Sequence, residues 1–450
     1  MFKSINPFDQ SVIGETPADS LDAINRKLAL ASKRFIQWKK ESFDKRSKLI
    51  LKAGEILRTR RDEFALTISK EMGKAIKESK GEVDKCADAC DFFAEHAEGF
   101  LKDQSIKTEA LRSYVAYQPL GPVLAIMPWN FPFWQVFRFA VPALMAGNVG
   151  LLKHAANVSQ CSLAIQDIFK EAGFPEGAFQ SLLVESKNVD SIIANDVIAA
   201  VTLTGSESAG THVASSAGKH LKKTVLELGG SDPFVVLEDA DLELAAKVAT
   251  QSRMQNAGQS CIAAKRFIVV KSVKDKFIEK FRINIEALKQ GNQLDESITI
   301  GPIARLDLAE QLEKQLEESI KKGAKLITGG QRDGCNFKPA LLDDVKPGVP
   351  AYDDELFGPI ASLITVRDEE EAISIANSHR YGLGGSVWTT NKEQGERVAR
   401  QIESGSVFVN SLMRSDQRLP FGGIKKSGYG RELSELGIKE FVNAKTIYVA

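Results

Sequence analysis

The stretch Ala199–Gly230, "AAVTLTGSESAGTHVASSAGKHLKKTVLELGG", holds the key to the architecture. An apolar run stops at Gly205, gives way to small and hydroxyl residues that open a helix, and is followed by a second apolar run, "KTVLELGG". A strand, a glycine turn and a helix N-terminus in that order present backbone N–H groups to a phosphate. The spacing is Gly205 to Gly210 and not G-x-G-x-x-G, so taken alone it fits an ordinary strand-to-helix turn equally well. Working outward, "VGLLKH" (149–154) and "DPFVVL" (232–237) are further short apolar runs between helical segments. Such alternation predicts parallel sheets covered by helices on both faces. It repeats downstream: "RFIVVKS", "AKLITGG", "SLITVRD" and "GGSVWTT" alternate with charged helical stretches, giving a second α/β domain at 229–427. A first domain of this kind is expected from 1–100 and 121–228. The first hundred residues carry apolar positions at three- and four-residue spacing and predict two or three amphipathic helices.

The 450 residues contain 59 Lys plus Arg against 59 Asp plus Glu, which supplies no electrostatic case for nucleic acid or an anionic membrane and makes a small molecule the default partner. Five scattered cysteines favour free thiols in a reducing compartment, five scattered histidines argue against a zinc site, and "MFKSINPFDQ" has no signal-peptide pattern. A cytoplasmic protein is expected. Cys86 and Cys90, four apart, belong to a buried helix face. The apolar segment 121–152 is long enough to suggest a membrane span, but Pro128, Pro132 and Pro142 interrupt it and Arg138 lies within it. It is read as a buried strand, a turn, a helix and another strand. "SYVAYQP" alternates like a strand, and the C-terminal "KTIYVA" either pairs with it or with another subunit's edge.

Several short motifs bear chemistry. Cys261 in "QNAGQSCIAAKR" is either a packed thiol or a nucleophile with backbone amides beside it. Glu227, between leucines and before Gly229 and Gly230, is either a strand-end carboxylate or a buried base of raised pKa. Asn130, between two prolines in "PWNFP", is an amide donor held by a rigid turn or a plain turn residue. "DDELFGPI" and "LPFGGIKKSGYGRE" are ambiguous singly.

Together, "PWNFP", "LLKH", "TGSESAG", "LELGG", "GQSC", "ELFGP" and "PFGGIKKSGYGRE" resemble the aldehyde dehydrogenase superfamily over nearly the whole chain. The resemblance implies an α/β aldehyde dehydrogenase fold: a Rossmann-like cofactor domain, a catalytic domain and a small β oligomerisation element (101–120 and 428–450), assembled as a homodimer or homotetramer. It implies that Cys261 attacks an aldehyde to give a thiohemiacetal, that hydride passes to nicotinamide, and that water activated by Glu227 hydrolyses the thioester. Asn130 and the Cys261 N–H would form the oxyanion hole. NAD or NADP would be held by Trp129, Lys153, Gly205, Ser206, Glu355 and Phe357. Where many NAD-preferring relatives carry Glu and several NADP users Ser, this chain has Ala156, so either cofactor is permitted. Ala263 stands where some relatives have a second cysteine, so no disulfide switch is expected.

"PWNFPFWQVFR" puts Trp134 and Arg138 on one helix face, an apolar wall beside a guanidinium. Arg at 138, with Ser415 in the later loop, is similar to the short bacterial succinate semialdehyde dehydrogenases. The implied substrate is a short aldehyde with a distal carboxylate, succinate semialdehyde or alternatively glutarate semialdehyde.

Overall fold

The computed structural model describes residues 1–450. Ala199–Gly230 forms the strand Ala200–Thr204, the helix Glu207–Lys219 and the strand Lys223–Glu227, the two strands running parallel from Ala200 opposite Lys223 to Thr204 opposite Glu227. The helix starts where it does because Ser206 caps it, its hydroxyl accepting from Ala209 N–H at 3.3 Å, and because Glu207 complements the N-terminal dipole.

These strands belong to a six-stranded sheet. Its parallel strands, in spatial order, are Lys223–Glu227, Ala200–Thr204, Pro122–Met127, Val149–His154 and Phe179–Ser181, with Gly428–Tyr429 added antiparallel at the edge beside Lys223–Glu227. The chain lays down Pro122–Met127, moves outward twice, then returns to the other side with Ala200–Thr204. That reversal opens a crevice at the carboxyl ends of two neighbouring strands, where doubly wound sheets take their ligands.

The segment 121–152 contains the strand Pro122–Met127, the helix Trp134–Met145 and the strand Val149–His154. All twelve residues of the helix are buried, which explains its uniform apolarity. No helix in the protein is long and apolar enough to cross a membrane. The helix N-terminus is served by Glu82, whose carboxylate accepts from Phe133 N–H at 2.9 Å and Trp134 N–H at 3.0 Å while paired with buried Lys74.

Residues 228–231 carry the chain into a second, seven-stranded sheet. Asp232–Val236 lies near its middle, flanked by Ala264–Val270 and Gly384–Trp388, all parallel. A third sheet joins Gln104–Ser105, Arg112–Pro119 and Val442–Val449, the last two antiparallel over eight residue pairs from Val442 opposite Pro119 to Val449 opposite Arg112. The C-terminal strand therefore pairs within its own chain. Each large sheet has its own apolar core, and Cys261 and Ile262 pack against the first core although they lead into the second sheet.

The first hundred residues differ from the sequence reading in two ways. A hairpin, Phe2–Ile5 with Val12–Thr16, precedes the helices; its strands are too short to show a period. Four helices follow rather than two or three: Leu21–Trp38, Phe43–Thr59, Arg61–Met72 and Ile76–Phe100. The breaks at Arg60, which leaves helical backbone geometry, and at Gly73, with φ +81°, do not interrupt the apolar periodicity that was read as continuous.

Candidate active site

The loop carrying Cys261 begins where the helix Leu242–Met254 ends. Asn256, Ala257 and Gly258 then take φ values of +54°, +52° and +72° in succession. Two non-glycine residues in left-handed backbone cost on the order of 1 kcal/mol or more each, so the surroundings must hold them there. Asn256 Nδ2 donates to the carbonyls of Asn130 (2.8 Å) and Gln259 (3.1 Å), and Asn256 N–H donates to the Glu78 carboxylate at 3.0 Å. The buried Arg253 guanidinium donates to the carbonyls of Gly258 (2.8 Å) and Leu356 (3.0 Å), tying this loop to the "ELFGP" turn. Lys265 Nζ donates to the carbonyls of Ser260 and Cys261, each at 2.9 Å, and pairs with Glu355 Oε1 at 3.1 Å. A methyl group on Gly230 would come within 2.7 Å of the Cys261 carbonyl, so only glycine lets the two sheets' connecting segments approach this closely.

Cys261 opens into a cavity of about 270 Å³. Trp134, Arg138 and Ser415 share its wall, so four of the residues singled out from sequence meet in one place. Burial pushes the Cys261 thiol up to about 12, against the opposing pull of Arg138 and Lys265. At neutral pH the resting group is thus a thiol and not a thiolate.

Asn130 and Glu227 do not line that cavity. Asn130 is buried beside it: its Nδ2 donates to Gln259 O at 3.0 Å and its Oδ1 accepts from Gln135 Nε2 at 2.9 Å, leaving one Nδ2 hydrogen uncommitted. The turn carrying it is pinned by buried His154, whose Nε2 lies 2.9 Å from Pro132 O and whose Nδ1 lies 3.1 Å from Met127 O. Glu227, only 1% exposed, lies against Gly422, and neither carboxylate oxygen has a hydrogen-bond partner. Burial, reinforced by the neighbouring Glu432, holds its carboxyl well above the usual range.

Arg138 is more committed than its spacing in the sequence suggests. It forms a buried ion pair with Glu432, donates to Thr204 Oγ1 at 3.3 Å and lies over the Phe421 ring at 4.6 Å. Trp134 Nε1 donates to Ser415 Oγ at 3.0 Å, and Ser415 Oγ also accepts from Lys85 Nζ at 2.7 Å. Lys85, Glu78 and Glu82 escaped the sequence reading. They lie on one face of the helix Ile76–Phe100 at i, i+4 and i+7, a polar stripe at the spacing expected of buried positions, which was the available signal. Lys265, Arg253 and Glu432 were missed as well, because Glu355, Leu356 and Arg138, the partners that tie them to the site, are distant in sequence.

The remaining residues gather at the crevice of the first sheet. Trp129 follows the strand Pro122–Met127, Lys153 sits near the end of Val149–His154, and Gly205 and Ser206 follow Ala200–Thr204. The Trp129 and Phe357 rings meet edge-to-face with centroids 5.8 Å apart. Glu355 Oε1 accepts from Gly230 N–H at 3.1 Å, while Oε2, facing Gly229, has no protein donor. A helix N-terminus, a lysine, an aromatic wall and a free carboxylate oxygen fit the phosphate, ribose and ring of a dinucleotide.

The whole arrangement has relatives. The Aldehyde dehydrogenase family model matches residues 1–447. The chain is 53% identical over 450 residues, covering 99% of both proteins, to a probable succinate-semialdehyde dehydrogenase [NADP(+)] of Synechocystis sp., and 44% identical over 448 residues, covering 99% and 97%, to the succinate semialdehyde dehydrogenase [NAD(P)+] Sad of Escherichia coli. The crystal structure of the Streptococcus pyogenes succinic semialdehyde dehydrogenase with NADP+ as cofactor superposes with TM-score 0.98 at 37% identity, covering 100% of both chains. The chain belongs to the aldehyde dehydrogenase family.

Proposed function

We propose that this protein oxidises succinate semialdehyde to succinate with NAD or NADP, glutarate semialdehyde being the alternative of greater length. The observation that carries the reading is Cys261 opening into a cavity whose wall includes Trp134, Ser415 and Arg138. The names of its relatives, which specify that aldehyde and NADP+ or NAD(P)+, support it. Lys153, Gly205, Ser206 and the N-terminus of Glu207–Lys219 would hold the adenosine ribose and pyrophosphate; Trp129, Phe357 and Glu355 would hold the nicotinamide end. Bound there, the dinucleotide would supply a hydride acceptor for oxidation of an aldehyde held on Cys261. With Ala156 exposed and no carboxylate at that position, nothing there repels a 2′-phosphate.

Cys261 Sγ adds to the aldehyde carbon as its proton passes to water in the cavity. The oxyanion formed is met by the Cys261 N–H and the uncommitted Asn130 hydrogen; losing one such donor costs roughly a hundred- to thousandfold in rate. Glu227, once ionised, is a strong base because burial disfavours its charge. It takes a proton from water, hydroxide adds to the thioester carbonyl, and the Cys261 sulfur departs. For this step the Glu227 carboxylate, which lies against Gly422, has to reach a water beside Cys261. We also propose that the sheet containing Arg112–Pro119 and Val442–Val449 docks against a second copy.

Nicotinamide reduction measured with carboxylated and neutral aldehydes tests the activity. A marked preference for succinate semialdehyde is expected, with no turnover by Cys261→Ala. Equal rates with butanal would remove the substrate claim.

A further inference from the structure

The cavity wall carries four cations, Lys74, Lys85, Arg138 and the exposed Arg414, and they differ in how far each is already paired. Lys74 is paired with Glu82, whose carboxylate also serves the backbone of Phe133 and Trp134. Arg138 is paired with Glu432. Lys85 makes no ion pair: its Nζ donates to Ser415 Oγ and lies 4.2 Å from the centroid of the Trp134 ring. A largely buried ammonium with one neutral acceptor is under-solvated and gains from an anion placed beside it.

Resting on the proposed substrate, we infer that Lys85 is a second specificity-determining cation of this site beside Arg138: its ammonium takes the distal carboxylate of the aldehyde, with the Ser415 hydroxyl as a further donor. The geometry provides a pair of donors 2.7 Å apart, close enough to bind the two oxygens of one carboxylate, and the Trp134 ring beneath Lys85 limits where the ammonium can go. Arg138, ion-paired with Glu432 and donating to Thr204 through Nη2, keeps its Nη1 uncommitted at the same wall, so its charge and donors add to those of Lys85. Two carboxylates share the cavity and would oppose an anionic substrate. Glu82 is neutralised by Lys74, and Glu78 accepts the Asn256 N–H in a setting that holds its carboxyl up at about 7, so its opposing charge is only partial near neutrality.

The experiment measures kcat and KM for succinate semialdehyde and for butanal in the parent, Lys85→Met, Lys85→Arg and Ser415→Ala. In the parent the ratio of kcat/KM values favours the carboxylated substrate. Lys85→Met should lower that ratio about tenfold to a hundredfold, the worth of a charge-assisted hydrogen bond, with the change in KM and not in kcat. Lys85→Arg should recover most of it and Ser415→Ala should show a smaller loss. Turnover of butanal shows that each variant has folded; should Lys85→Met fail there, Lys85→Gln, which keeps a donor to Ser415 without the charge, replaces it. A parent preference that survives loss of the charge overturns the role of Lys85 and leaves the substrate assignment standing. A parent with no preference overturns both.

Discussion

Removing the Arg138 guanidinium would leave Glu432 a buried carboxylate without a counter-ion. Breaking such a pair costs about 3–5 kcal/mol, whereas replacing both partners with apolar residues is often close to neutral. Arg138→Met should therefore lose stability of that order in urea unfolding, and Arg138→Met with Glu432→Met should regain most of it. A single variant as stable as the parent would mean the pair is not the chief role of Arg138. Cys261 yields a second expectation at this scale. With its pKa near 12, alkylation by iodoacetamide in the cofactor-free protein should quicken about tenfold per pH unit from 7 to 9. Lys265→Met, which removes one of the two cations that favour the thiolate, should slow it further at each pH. A plateau near neutrality would show instead that the thiol is already ionised.

Among the elements, the helix Ile76–Phe100 does two jobs at once. Val83, Cys86 and Cys90 bury one side in the first core, and Glu78, Glu82 and Lys85 reach the cavity. Its Glu78 makes stability depend on pH. The carboxyl titrates near 4.5 when exposed and at about 7 in the folded chain, so between those values the native state holds the proton more tightly than the unfolded one. Stability contributed by the neutral form is complete below about pH 4.5 and is lost as pH rises to about 7. Glu78→Gln, neutral throughout, should gain on the parent by about 1–3 kcal/mol between pH 4.5 and 7.5, a pKa unit being worth about 1.4 kcal/mol. Denaturant midpoints at the two pH values measure this; an unchanged difference would place the Glu78 carboxyl in water. The helix was legible as amphipathic from its apolar spacing, but its polar stripe was not assigned, because periodicity says which side is buried and not what it faces.

At the scale of the whole molecule, the three-stranded sheet leaves Val442–Val449 as an edge, with Tyr448 and nearby Leu111 exposed. An uncovered strand edge favours association. A chain ending at Asn443, which retains the core residues Phe441 and Val442, should sediment as a monomer where the full chain sediments as a dimer or tetramer. Identical sedimentation would rule this sheet out as the contact. The alternation of apolar runs and helices, the glycines at 205, 229 and 230 and the order of the short motifs were all local, so the parallel sheets, the crevice and the family could be read from residue order. Cys261, Trp134 with Arg138, and Ser415 come from three distant parts of the chain, and Ser415 was recognised only by resemblance to a known motif. What residue order could not reveal was charge balance. Arg138 looks like a free guanidinium until Glu432, 294 positions later, neutralises it, and Lys85 looks like one surface lysine among many until folding buries it against Trp134 and Ser415 with no carboxylate partner. Backbone preference and apolar periodicity act over a few residues and are written into the sequence; burial and ion pairing act through space, so tertiary structure alone decides them.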